Sequence, residues 1–113
     1  MKKQAINWAD FEKIDIRTGT IIEAKLFKEA IKAAIKLKID FGEIGILQSS
    51  AQITDLYTPD ELVGKQIIAV VNFPPKQIAN YISECLVLGS VDENKQVVLL
   101  ETERKVENGL KIS

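Results

Sequence analysis

Chemistry in this chain has to come from a short inventory of side chains. Its 113 residues include no histidine and a single cysteine, Cys85. The commonest general base and the commonest transition-metal ligand are therefore missing, and histidine-dependent triads, dyads and the usual zinc geometries cannot be assembled. One thiol makes neither an internal disulfide nor a Cys-rich zinc site, which agrees with a reducing compartment, and Cys85 is expected in the core. An enzyme would have to rest on Asp, Glu, Lys, Tyr or Cys, with Cys85 or Lys76 perturbed and accessible. The sequence contains no Gly-rich phosphate loop, no nucleophile elbow and no spaced carboxylate cluster. The expectation is a non-enzymatic binding protein without cofactor or metal.

The most evident binding chemistry is positive charge. Lys25, Lys28, Lys32, Lys36 and Lys38 stand against one acid, Glu29, whereas Asp55, Asp60, Glu61, Asp92, Glu93, Glu101, Glu103 and Glu107 all fall later. Fifteen basic against sixteen acidic residues leave a net charge of −1, so the field of the whole molecule does not draw in nucleic acid. One face is nevertheless locally basic. The same cluster also fits a solvated lysine-rich edge that protects a sheet from pairing with another chain.

The elements that must position these residues are legible from periodicity. A chain of 113 residues, 46% hydrophobic and 27% charged, fits one domain with a packed core. It has no apolar run near the roughly 18–20 residues of a membrane span, and Met1 to Asp10 lacks the apolar stretch of a signal peptide, so no membrane insertion and a cytoplasmic location are expected. Asn7 precedes Trp8, Phe11 and Ile14 at helical spacing, which predicts a short N-terminal helix anchored by Trp8 and Phe11 on the barrel or on a partner. From Ile16, the positions Thr18, Thr20, Ile22, Ala24 and Leu26 alternate with Arg17, Gly19, Glu23 and Lys25, with Ile21 as the exception, which predicts the first strand.

Ala24 to Lys38 also reads as a basic amphipathic helix, with Lys28, Lys32 and Lys36 four apart. Against it, Ala33, Ile35, Leu37, Ile39 and Phe41 alternate with Lys36, Lys38 and Asp40, and Gly42-Glu43 turns into Ile44 to Leu47. We therefore expect a hairpin over about 34–50, because burying those apolar side chains at roughly 1.5–3 kcal/mol each outweighs a modest helix preference. Thr58-Pro59-Asp60-Glu61 predicts a short helical turn stopped at Gly64. Apolar runs at 67–71, 85–88 and 97–100 predict strands covered on both faces, and in so short an antiparallel protein the second cover is expected to be another subunit. Several short strands around one helical segment match an all-β, five-stranded Greek-key barrel of the OB-fold type, with the short N-terminal helix ahead of it.

Four strings carry a family resemblance: Asp10 to Ile21, Ile39-Asp40-Phe41-Gly42, Gln48-Ser49-Ser50-Ala51-Gln52-Ile53-Thr54 and Ala69-Val70-Val71-Asn72-Phe73-Pro74-Pro75. Over almost its whole length the chain resembles the CsaA family of export-related chaperones. These lie within the wider tRNA-binding-domain family, which includes C-terminal appendices of methionyl-tRNA synthetases and free-standing tRNA-binding proteins. The resemblance implies an OB barrel with a small C-terminal extension, a single domain over 1–113 and a homodimer. Where tRNA-binding members carry Asn-Leu-Lys-Pro and Ser-Gln/Glu-Gly-Met beside the nucleic-acid groove, Asn72, Pro75, Ser83 and Glu84 match. Phe73 stands for the leucine, Pro74 for the lysine, Cys85 for the glycine and Leu86 for the methionine. Ser50-Ala51-Gln52 replaces the common Val-Ser-Gly.

What the resemblance implies for a site is therefore mixed. Phe73, Pro74, Pro75 and Leu86 supply an apolar surface, and Asn72, Gln48, Ser49 and Ser83 supply amides and hydroxyls for a peptide backbone or an RNA edge. Lys36, Lys38 and Lys76 suit phosphates or acidic groups, and Ser50 and Glu84 complete the set. Each has a plainer reading: Asn72 as a turn-stabilising side chain, Ser83-Glu84 as the start of a hairpin, the double proline as a rigid connector, and Arg17 with Asp15 as a surface ion pair. The leading expectation is a chaperone binding unfolded or export-bound polypeptides, favoured by the negative net charge and by Pro74 in place of the groove lysine. The alternative is a tRNA-binding protein that reads shape and backbone.

Overall fold

The alternation between helix and strand readings resolves in favour of the strand. In the computed structural model, which describes residues 1–113, strand β2 (Ile35–Asp40) and the residue after it bury Ile35, Leu37, Ile39 and Phe41 completely. Ala33, the first member of that series, is exposed and Ala34 is buried instead. A 3-10 turn at Gly42–Ile44 connects β2 to β3 (Ile46–Ala51), so the expected hairpin is present with the expected limits.

Strand β1 (Ile16–Leu26) pairs antiparallel with β2 through its second half and with β4 (Gln66–Val70) through its first. The ladder slips at one place: Ile21 lies opposite Ile39, but Glu23 lies opposite Lys38. The bulge at Ile22 explains the one exception in the sequence pattern. Ile21 is fully buried, whereas Ile22 and Leu26, which belong to the alternating apolar series, are exposed. A bulge inserts one unpaired residue and so flips the face on which the following side chains emerge.

Two short helices accompany the strands, one ahead of β1 and one between β3 and β4. Helix α1 (Trp8–Glu12) starts on an Asn7–Asp10 capping box, and α2 (Pro59–Leu62) on a Thr58–Glu61 box with proline at its first turn. Leu62 is fully buried in the core cluster of Ile21, Ile35, Leu37, Ile39, Phe41, Ile53, Ile67, Ala69 and Cys85. Helix α1 buries nothing. The expected packing of Trp8 on the barrel is not found within the chain, where Trp8 is 85% exposed.

The five-stranded sheet runs β3-β2-β1-β4-β7, with β7 at Leu86–Val87, the order of a Greek key. Between β4 and β7 lies a hairpin that periodicity did not announce, β5 (Lys76–Ile78) and β6 (Tyr81–Ser83), turning through Ala79 at a φ of +51°. A second hairpin follows, β8 (Gly89–Val91) with β9 (Val97–Leu99). The apolar runs are not covered on both faces by the chain itself: Leu86, Val98 and Leu100 remain exposed.

The barrel closes without a regular ladder between its edges. The main-chain N–H of Glu84 donates to the Gln48 carbonyl at 2.8 Å, and that of Gln48 donates to the Glu84 carboxylate at 3.0 Å. Ser49 Oγ donates to the Cys85 carbonyl at 2.9 Å, and the Ser50 N–H to Ser83 Oγ at 3.2 Å. The C-terminal extension is then drawn along the free flank of β1. Thr18 accepts from Gly109 N and Leu110 N and donates to the Glu107 carbonyl, while Arg17, ion-paired with Asp15, donates to the Gly109 carbonyl at 3.0 Å.

Candidate functional site

Strand register decides which of the expected site residues meet. Outward side chains of β1, β2 and β3 form two cross-strand rows, Glu23 with Lys38 and Gln48, and Lys25 with Lys36 and Ser50. All of these but Ser50, with Leu37 and with Tyr81 of β6, line a cleft of about 250 Å³. Glu23 and Tyr81 were not found by sequence reasoning. The signal for Glu23 was the broken alternation at Ile21, and Tyr81 lies in the unannounced hairpin.

Charge in this cleft is organised rather than diffuse. Lys25 Nζ lies 3.2 Å from one Glu23 oxygen and Lys38 Nζ 3.9 Å from the other. The Lys25 hydrogen bond and charge, with Lys38 adding to them, hold the Glu23 carboxyl below its ordinary range. Lys36 takes no carboxylate. Its ammonium sits 5.4 Å from the ring centroids of both Phe27 and Tyr81, which meet edge to face at 5.6 Å. Two aromatic faces attract a cation electrostatically and fix its position. Tyr81 in turn donates its hydroxyl to the Leu37 carbonyl at 3.1 Å, and burial, followed by the nearby Glu23 and Glu84 charges, pushes its phenol up to about 12.

A second cleft, of about 200 Å³, is lined by Phe73, Pro74, Lys76, Ser83, Glu84, Cys85 and Leu86. Phe73 is 52% and Leu86 49% exposed, so apolar surface is open to solvent on both sides of it. The double proline serves as the connector from β4 into β5, and Pro74 at the same time walls the cleft. The two clefts share a partition, because Gln48 of the first is hydrogen-bonded to Glu84 of the second, and Gln48 Nε2 donates to the Ile82 carbonyl at 2.7 Å.

Of the thirteen residues expected at the site, nine line one of these two clefts: Lys36, Lys38 and Gln48 the first, Phe73, Pro74, Lys76, Ser83, Glu84 and Leu86 the second. The other four line neither cleft, Pro75 among them as an exposed part of the connector. Ser49 is buried with its hydroxyl on the Cys85 carbonyl, and Ser50 contributes its main chain to barrel closure. Asn72 accepts from Asp15 N at 2.9 Å and donates to the Lys13 carbonyl at 2.8 Å, which ties the exit of α1 to the end of β4. Ser83-Glu84 closes the barrel rather than opening a hairpin. Cys85 is buried, and burial pushes its thiol up to about 12, opposite to the shift a nucleophile requires.

The profile of the tRNA binding domain family matches residues 16–111, which spans β1 to the pinned C-terminal extension. The chain belongs to the tRNA binding domain family. The chaperone CsaA of Bacillus anthracis shares 55% identity and a TM-score of 0.93, with 97% of this chain and all of that one covered (100%). The CsaA chaperone protein of Picrophilus torridus shares 59% identity and a TM-score of 0.90 over 96% of this chain and 100% of its own. Family and fold are therefore those of a CsaA-like OB barrel. The methionine–tRNA ligase of Methanococcoides burtonii is 35% identical over 107 residues, 95% of this chain. This chain spans only 16% of that ligase's length.

Proposed function

We propose that the protein is a cytoplasmic, homodimeric chaperone of the CsaA type that binds unfolded or export-bound polypeptides. The observation that carries this reading is the cleft between Phe73, Pro74 and Leu86, whose exposed apolar walls stand beside Ser83 and Lys76. Apolar walls with a few fixed polar groups suit an extended peptide, whose side chains bury while its main chain finds partners. High identity to two CsaA chaperones supports it. Titrating a labelled unfolded polypeptide and a labelled tRNA from low to physiological salt tests it, with polypeptide binding that is nearly independent of salt as the expected result. Tight tRNA binding at physiological salt together with no polypeptide binding would overturn it.

The second reading, tRNA binding, is favoured by the rows of Lys25, Lys36 and Lys38 and by the methionine–tRNA ligase relatives. Phosphate contacts release counterions, so affinity should then fall steeply as salt rises, and Lys36→Ala with Lys38→Ala should flatten the slope of log affinity against log salt by about 1.5–2. An unchanged slope would remove these lysines from the contact.

Dimerisation rests on the apolar surface the chain leaves uncovered. Trp8, Phe11, Ile14 and Ile112 surround a cleft of about 230 Å³ between α1 and the C-terminus. A second copy seated there would bury the tryptophan that the barrel leaves exposed, in an interface expected to exceed about 1,000 Å². Light scattering at micromolar concentration should give the dimer mass, and deleting residues 1–13 should give a monomer with a lowered melting temperature. A full-length monomer, or a deletion that alters neither mass nor melting, would exclude this surface.

A further inference from the structure

We propose that Glu23 is a specificity-determining residue of the basic cleft: its carboxylate is an internal counter-anion on Lys25 and Lys38 that an entering RNA phosphodiester chain has to displace. The inference rests on the tRNA reading of this cleft. Three lysines line it, and they are not equivalent. Lys36 is held over the Phe27 and Tyr81 rings, with no carboxylate at ion-pair distance, and faces a ligand already oriented. Lys25 and Lys38 are both engaged by the two oxygens of one carboxylate. A phosphate oxygen and a carboxylate oxygen compete for the same ammonium donors.

Glu23 owes this position to the bulge. Without the slip at Ile22, the ladder would not set Glu23 opposite Lys38. The contacts are solvent-exposed, and exposed ion pairs are weak, so Glu23 is displaceable rather than a permanent plug. A single small anion gains one ready lysine, at Lys36. A phosphodiester chain with several phosphates in register gains all three once Glu23 has swung away, so the carboxylate weakens every anion but selects for the polyanion. The same residue lowers RNA affinity relative to polypeptide in the neighbouring apolar cleft.

The test uses the full chain and labelled tRNA, titrated across a range of salt concentrations for wild type, Glu23→Gln, Lys38→Gln, the Glu23→Gln/Lys38→Gln pair and Glu93→Gln. Glu93 lies in the turn between β8 and β9, outside both clefts, and its substitution makes the same change in net charge. Glu23→Gln is expected to tighten tRNA binding about 3–10-fold at low salt and to steepen the salt slope by about one. Most of that gain should vanish in the pair with Lys38→Gln, and Glu93→Gln should give little. Binding by Glu23→Gln where wild type binds too weakly to measure supports the proposal equally. If wild type binds, Lys38→Gln weakens binding and Glu23→Gln brings no gain, the role of Glu23 is overturned while the tRNA reading stands. An equal gain from Glu93→Gln overturns it too, since net charge then suffices. If neither wild type nor Glu23→Gln binds tRNA at any salt, both fall.

Discussion

Gly109→Ala is expected to lower the melting temperature by about 10–20 °C, far more than the same change at Gly45. Both glycines have positive φ, +86° and +105°, so both alanines incur left-handed strain, about 1–3 kcal/mol. Their surroundings differ. A Cβ at Gly45 meets nothing within 4 Å, whereas one at Gly109 would lie 2.4 Å from the Phe41 carbonyl oxygen, a backbone atom in the turn that closes the β2–β3 hairpin. The tail cannot retreat without breaking the Gly109 N to Thr18 carbonyl bond at 2.7 Å and the Arg17 bond to the Gly109 carbonyl. Overpacking adds about 1–3 kcal/mol, and a mid-range sum of about 3.5 kcal/mol, at about 3–6 °C per kcal/mol for a domain of this size, gives the stated range. Thermal melts of the two variants beside wild type check it. Equal losses would mean that the tail contact with Phe41 contributes nothing.

The second large effect concerns binding. Phe73→Ser with Leu86→Ser should weaken polypeptide affinity by about 10-fold or more at physiological salt. Fully burying either side chain is worth roughly 1.5–3 kcal/mol. Both already bury about half of their surface in the free protein, so ligand binding can gain only the other half, about 1.5–3 kcal/mol together, where each 1.4 kcal/mol is tenfold. The burial within the fold is lost as well, so affinity is compared below the melting temperature of the double variant, where a loss of binding reports the cleft and not unfolding. Retained polypeptide affinity in the double variant would show that the client sits elsewhere. Retained tRNA affinity would not, because phosphate contacts in the neighbouring cleft do not use these side chains.

Features encoded over a few neighbouring residues were determined by the sequence alone. The capping boxes at Asn7–Asp10 and Thr58–Glu61, the stop at Gly64 and the two-residue alternation of Ile35, Leu37, Ile39 and Phe41 all appear where the residue types require them. In each case the partner lies within one turn or one strand, and the apolar period is strong enough to reject the competing helix. Family motifs extended this to the barrel type and to most of the residues around the clefts. Only the tertiary structure decided the rest. Asn72 spends its amide on residues 57 and 59 positions away, Gln48 meets Glu84 across 36, and Gly109 meets Arg17 across 92. The Ile22 bulge, which sets Glu23 among the lysines, falls within the β1–β2 ladder of a strand that pairs with β4 through one half and with β2 through the other. Pairings between distant segments depend on which strands become neighbours once the core closes, and no local period in the chain records that choice.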